Sequence, residues 1–121
     1  DRICFLRGDL LEPLSDAEGL FDLVVANPPY IPSAQLATLQ AEVQREPAPA
    51  LDGGPDGLDY YRRLIPQAAK LLAADGIIAV EHGFDQRIPI ENLFQEAGLI
   101  PQAFTDLAGL DRIIIGRRPG V

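Results

Sequence analysis

Three features of the sequence predict an α/β fold built on a mostly parallel sheet. Phe21-Asp22-Leu23-Val24-Val25-Ala26 is an apolar run of strand length that stops abruptly at Asn27-Pro28-Pro29-Tyr30. Ile77-Ile78-Ala79-Val80-Glu81 is a second run, without the alternation of a half-exposed strand, which suits a parallel sheet covered on both faces. Between them Leu58, Tyr61, Leu64, Ile65, Ala68, Leu71 and Leu72 recur at helical spacing, and strands alternating with helices define the class.

The first element in chain order is Ile3-Cys4-Phe5-Leu6-Arg7, a strand candidate ended by Gly8-Asp9. Leu11 to Leu20 carries Pro13, Ser15, Asp16 and Gly19 and reads as a loop with a helical turn. It leads into the strand Phe21 to Ala26, expected to be buried. Ser33 to Arg45 can form a short amphipathic helix with Leu36, Leu39 and Val43 on one side. Glu46-Pro47-Ala48-Pro49-Ala50 must be extended, because proline excludes helix at and before its own position. Together with Gly53-Gly54-Pro55-Asp56-Gly57 it makes one long loop, and loops of that length in a compact domain are usually functional.

The next helix starts at Asp56 or Gly57 and runs to about Ala74, with Pro66 expected to kink or split it and Asp75-Gly76 to close it. Arg62 and Arg63 read as its solvated face. Pro89 suits the first turn of a helix through Ala97 that Gly98 ends. Gln102 to Thr105 and Arg112 to Gly116 are two short strands, most simply an antiparallel pair at the sheet's end.

Composition narrows the function. A chain of 121 residues is one domain by length, taken as 1–121, and 47% hydrophobic residues suffice for a core. Ten Lys and Arg against eighteen Asp and Glu leave a formal net charge of −8, which argues against a surface that grips nucleic-acid phosphates. Cys4 alone excludes an internal disulfide and a cysteine-rich metal site, and His82 alone excludes a multi-histidine one, so no metal is expected. No apolar run approaches the roughly 20 residues that span a bilayer and no signal peptide opens the chain, so no membrane partner and a cytoplasmic location are expected. The sequence lacks methionine and begins at Asp1, so it is expected to be a fragment or the ordered part of something longer.

The chemistry concentrates at Asn27-Pro28-Pro29-Tyr30. Ligands of open α/β sheets bind beyond the carboxyl ends of the strands, where this turn falls. The same residues also suit a plain surface turn. Two prolines hold the backbone still and leave their carbonyls free, and Asn27 adds a side-chain oxygen. The Asn27 oxygen and the Pro28 carbonyl can hold both hydrogens of a planar –NH2 group while the Tyr30 ring packs on its flat face. Such a clamp aims a poorly nucleophilic nitrogen at an electrophilic methyl group without a strong base beside it.

Asn-Pro-Pro-Tyr after an apolar strand is similar to the substrate motif of S-adenosylmethionine-dependent N-methyltransferases acting on planar amino groups. A narrower set follows: Ile31-Pro32, Glu42-Val43, Glu46-Pro47, Ala50-Leu51, Gly53-Gly54, Asp56-Gly57-Leu58, Tyr61-Arg62-Arg63, Glu81-His82-Gly83 with Gln86, and Asp106-Leu107-Ala108-Gly109 with Asp111-Arg112. In that order, over nearly the whole chain, it resembles the peptide chain release factor glutamine N5-methyltransferases, which modify the glutamine of the Gly-Gly-Gln loop. The resemblance implies a Rossmann-like class I methyltransferase fold, S-adenosylmethionine as cosubstrate and a release factor as protein partner. It makes Asn27 and Pro28 the catalytic clamp and Pro29 and Tyr30 its substrate-binding support. Asp9 and Leu10 would lie against the cofactor's adenine, with Asn27 also facing the cofactor; Asp9 also suits a plain turn cap.

The glycine-rich cofactor turn and the ribose-binding acid of the family are missing, together with the first two strands of its sheet. Gly53 to Gly57 reads as a substrate-side loop rather than a cofactor cradle. Ile3 to Arg7, the family's third strand, is thereby left without a neighbour, and the chain alone is expected to be inactive and to bind S-adenosylmethionine weakly. His82 can act as a general base or, with Gln86, shape the loop behind the site. Glu46 has no assigned role. Two other readings stand beside this one: a nucleic-acid amino-methyltransferase using the turn on a flipped base, and an inactive fragment kept as a binding module.

Overall fold

The computed structural model describes residues 2–38 and 52–120. The helix tail from 39 to 45, the Glu46–Ala50 segment and Glu46 itself lie outside the described residues. After a short 3-10 turn at Glu12–Leu14 comes β1 (Phe21–Ala26), then a 3-10 stretch at Ser33–Thr38 where the start of an α-helix was expected. Helix α1 (Asp59–Leu71), β2 (Leu72–Glu81), α2 (Arg87–Glu96), β3 (Ile100–Thr105) and β4 (Asp111–Arg117) complete it.

The four strands form one mixed sheet in the order β1-β2-β4-β3. β1 runs parallel to β2, while β4 is antiparallel to both β2 and β3. Three strands therefore point one way and β4 runs against them, as expected for a parallel sheet with an antiparallel carboxyl-terminal pair. α1 and α2 pack on one face, where Tyr61, Ile65 and Ala68 of α1 meet Ile78 and Val80 of β2, Ile114 of β4, and Ile90 and Phe94 of α2. Gly116 belongs to this packing, since a Cβ there would sit 3.0 Å from the Phe94 ring.

The expected cover on both faces is absent among the described residues. Leu23 and Val25 are 58% and 71% exposed, so β1 is an edge strand with one open side rather than a buried one. Register places Leu23 beside Ile77, Val25 beside Ala79, Ala79 beside Ile115 and Ile113 beside Phe104, which makes the open side one continuous apolar face. The strand expected at Ile3–Arg7 does not form. Its residues are exposed and no described strand offers its backbone a ladder, so nothing repays ordering it.

α1 begins at Asp59 and continues through Pro66 without splitting, because the one N–H that proline lacks is a local loss in a helix that buries Tyr61, Leu64, Ile65, Ala68 and Leu71. It ends at Leu71 rather than near Ala74. Leu72 is already extended, fully buried and paired with Phe21. Asp75-Gly76 therefore lies within β2, where it forms a bulge: the pairing jumps from Phe21 with Leu72 to Leu23 with Ile77. Asp75 takes the left-handed conformation there, at φ 63°. The Asp75 N–H donates to the Arg118 carbonyl and its carboxylate meets Arg117 at 3.2 Å, which holds the bulge to the end of β4.

Candidate functional site

The parallel pairing of Ala26 with Val80 brings the carboxyl ends of β1 and β2 to the same edge of the sheet. Asn27-Pro28-Pro29-Tyr30 leaves from one and His82-Gly83 from the other. Asn27 is exposed, Pro28 is buried, and Pro29 and Tyr30 are half-buried, with Tyr30 packed against the core. Among the described residues no hydrogen bond engages the Asn27 side chain or the Pro28 carbonyl, the two acceptors assigned to the clamp.

The rest of the turn is heavily braced. Ile31 forms a parallel bridge with Asp52, the Gly53 N–H donates to the Ile31 carbonyl at 2.8 Å and the Ser33 N–H donates to the Gly54 carbonyl at 2.9 Å. Gly53 and Gly57 are glycine because the turn lies against them. A Cβ on Gly53 would come within 2.8 Å of the Pro29 oxygen, and one on Gly57, at φ 80°, within 2.3 Å of the Tyr30 oxygen. The cluster is thus the platform on which the turn rests. The Asp52 carboxylate accepts from the Ser33 hydroxyl at 2.6 Å and the Gly54 N–H at 2.9 Å, and these bonds hold it below the usual carboxylate range. Asp56 accepts from the Leu58 N–H and meets the Arg62 guanidinium, which is the main cause of its own lowered titration.

Gln86 closes the arrangement from the other side. Its Nε2 donates to the Tyr30 carbonyl at 2.8 Å and reaches the Gly57 carbonyl at 3.4 Å, while its Oε1 accepts from the Gly83 N–H at 2.9 Å. His82 is fully buried, with Nδ1 2.6 Å from the Gly83 carbonyl and Nε2 without a partner among the described residues. A carbonyl can only accept, so Nδ1 carries the hydrogen in that contact. The end of β2 is anchored by the buried Tyr61, whose hydroxyl donates to the Glu81 carbonyl at 2.5 Å and whose titration burial pushes up.

Asp9 and Leu10 are held elsewhere. Asp9 is exposed and pairs through Oδ2 with Arg63, Leu10 is half-buried at φ 53°, and the following Leu11 N–H donates to Gln67 Oε1 at 3.0 Å. Both are tied to α1 rather than to the turn. Arg63, read as a solvated residue, is therefore engaged, with Glu12 also 4.0 Å away. An open cleft of about 630 Å³ lies beside the braced loop, lined by Ser33, Asp52, Gly54, Tyr60 and Arg63 among others. A larger concavity of about 1440 Å³ sits among Glu18, Lys70, Leu93 and Arg118 and includes no residue of the turn. Among the described residues no three His, Cys, Asp or Glu side chains are grouped as metal ligands, and no helix is long and apolar enough to cross a membrane.

The sheet and the helices on its face have the fold of the class I S-adenosylmethionine-dependent methyltransferases, in truncated form. A release-factor-specific protein-(glutamine-N5) methyltransferase from Alicyclobacillus acidocaldarius superposes with a TM-score of 0.57 at 26% identity, over 90% of this chain and 55% of that one. A Thermus thermophilus protein solved with S-adenosyl-L-methionine bound shares the fold, with a TM-score of 0.55 at 18% identity, over 87% of this chain and 50% of that one. In sequence the chain is homologous to a carboxyl-terminal portion of the release factor glutamine methyltransferases. It is 47% identical to that of Moorella thermoacetica over 97% of its length, 45% identical to that of Geobacter sulfurreducens over 96%, and 50% identical to that of Rhodospirillum rubrum over 97%. It spans about 41%, 41% and 36% of those three proteins. No family model matches the chain.

Proposed function

We propose that this chain is the substrate-binding part of an enzyme that transfers a methyl group from S-adenosylmethionine to the side-chain amide nitrogen of the Gly-Gly-Gln glutamine in a peptide chain release factor. The observation that carries the reading is the rigid turn at the carboxyl edge of the sheet, whose Asn27 side chain and Pro28 carbonyl are unengaged among the described residues while its Pro29 and Tyr30 carbonyls lie against Gly53, Gly57 and Gln86. Two open acceptors on a turn held at the Tyr30 and Ile31 carbonyls suit the two hydrogens of a primary amide. The reading extends to the whole gene product and to the cytoplasm, where translation terminates.

Asn27 Oδ1 and the Pro28 carbonyl accept the two amide hydrogens and turn the nitrogen toward the methyl donor. Pro29 keeps the backbone from yielding, and Tyr30 packs on the amide plane. The donor's sulfonium supplies an activated methyl: the amide nitrogen forms the new N–C bond as the C–S bond breaks, the electron pair stays on sulfur, and the cationic nitrogen loses its proton to water. The clamp contributes orientation, which a delocalised nitrogen needs more than a base.

Asp9 and Leu10 suit the adenine end of the cosubstrate. With Oδ2 of Asp9 on Arg63, its Oδ1 has no partner among the described residues and can accept from an exocyclic N–H, and the Leu10 N–H has no carbonyl partner there either. The pairing of Asp9 with Arg63 fixes the carboxylate without filling it.

The test is transfer from labelled S-adenosylmethionine by the full-length gene product, offered a release factor and an adenine-containing DNA in parallel, with the modified residue located by mass spectrometry. Label on the Gly-Gly-Gln glutamine supports the reading. Label on DNA alone overturns the substrate while keeping the turn's chemistry, and no label on either overturns the enzyme in favour of an inactive binding module.

A further inference from the structure

Gln86 is a buried side chain that touches three separate segments of the site. Its amide satisfies the Tyr30 carbonyl of the turn, the Gly57 carbonyl of the glycine platform and the Gly83 N–H of the loop after β2. Two carbonyls need a donor and one N–H needs an acceptor, so only a neutral carboxamide in this orientation serves all three. The residue is 7% exposed, and a carbonyl or N–H left unpaired at such depth is strongly disfavoured.

Its own backbone is fixed just as firmly. Gln86 N–H donates to the Gly83 carbonyl at 3.0 Å, and its carbonyl accepts from Ile90 N–H at 3.2 Å as it caps α2, a helix pinned in the core by Ile90 and Phe94. The core thus fixes α2, α2 fixes Gln86, and Gln86 fixes the carbonyl of Tyr30, two residues beyond the Pro28 acceptor. Gly53 lies against the Pro29 carbonyl and Gly57 against that of Tyr30, where a methyl group would not fit.

We infer that Gln86 is a positioning residue for the methyl transfer: through Tyr30 it sets where the Asn27 and Pro28 acceptors stand, without itself touching the substrate. The inference rests on the proposed function, because it assigns Gln86 a share of that reaction's rate. A displaced clamp aims the nitrogen poorly, a defect felt at the transition state more than in binding. Losing Gln86 therefore lowers kcat and leaves KM and cofactor affinity nearly unchanged.

The test compares wild type, Gln86→Leu and Gln86→Glu in the full-length gene product. Gln86→Leu is near in volume and removes both functions. Gln86→Glu keeps the acceptor for Gly83 N–H and sets a carboxylate oxygen against the Tyr30 carbonyl. The expected result is a fall in kcat of about 100-fold in each, with KM for release factor and Kd for S-adenosylmethionine changed by less than about threefold. Hydrogen exchange over residues 27–33 is read on the same samples and is expected to rise about tenfold or more.

A folded variant with kcat near wild type, or a fall in kcat matched by equal weakening of cofactor binding, overturns the positioning role. If neither variant folds, Gln86 serves the fold as a whole and the role is again overturned. A wild type that leaves the release factor unmodified counts against the proposed function instead. The exchange over 27–33 still decides whether Gln86 holds the turn: unchanged exchange overturns it whatever the substrate.

Discussion

The side-chain amide of Gln86 donates to the carbonyl of Tyr30 at 2.8 Å across 56 residues of sequence, and that bond joins the ends of two parallel strands into one site. The turn at Asn27 to Tyr30 owes its rigidity as much to Gly53, Gly57 and Gln86 as to its two prolines. The unengaged acceptors lie just before the Tyr30 and Ile31 carbonyls, which accept from Gln86 and from the Gly53 N–H.

Substitution at Gly57 tests the platform. Gly57→Ala forces a left-handed non-glycine residue and drives a methyl group toward the Tyr30 oxygen. The expected outcome is a loss of about 1–3 kcal/mol of stability, read by urea denaturation of the full-length gene product, with a larger loss of methyl transfer than of release-factor binding. Unchanged stability would show that the turn yields easily.

Tyr61 anchors the end of β2 from the core. Tyr61→Phe leaves the Glu81 carbonyl without its donor while keeping the ring, and is expected to destabilise the fold by about 1–2 kcal/mol in the same assay.

The bond between Ser33 and Asp52 gives the braced loop an acid limit. Hydrogen bonds from the Ser33 hydroxyl and the Gly54 N–H hold the Asp52 carboxyl below its ordinary value of 3.8. A lowered folded-state value contributes stability that is present above pH 3.8 and is lost as the pH falls through the lower folded value. Asp52→Asn is therefore expected to be less stable than wild type at neutral pH, with the gap closing as the pH drops below that point. A gap that persists unchanged into acid would mean that the charge of Asp52 is not what braces the loop.

The open side of the sheet makes its own demand. Leu23, Val25, Phe104 and Ile113 form an exposed apolar face, and among the described residues β1 has one unpaired edge. The 121-residue chain in isolation is expected to bind a hydrophobic dye and to elute above its 13.1 kDa mass, and Val25→Lys is expected to reduce both. The same chain is expected to bind S-adenosylmethionine weakly, and tight stoichiometric binding by calorimetry would contradict that.

Local signals in the sequence marked the elements whose partners lie nearby. Phe21–Ala26 appears with the boundaries its apolar run marks, and the apolar side of α1 is the buried side, because strand length and helical period are local properties. Pairing is not local. Ile3–Arg7 has the composition of a strand and stays irregular for lack of a neighbour, and Phe21 pairs with Leu72 where the sequence suggested more helix. Asp75-Gly76 carries the turn chemistry that its residues announce, but spends it on a bulge within β2.

The site divides in the same way. Asn27 to Tyr30 could be picked out as a rigid polar turn from residue types alone. The close approach that makes Gly53 and Gly57 necessary, and the salt bridge that ties Asp9 to Arg63, join residues far apart in sequence, and no spacing rule signals either.

The most direct measurement is the single-turnover rate of methyl transfer to a release factor by the full-length gene product, wild type against Asn27→Ala, with release-factor and S-adenosylmethionine affinities measured alongside. If Asn27 and the Pro28 carbonyl aim the amide, the rate falls by about 100-fold while both affinities stay close to wild type. A rate unchanged in Asn27→Ala would contradict the clamp.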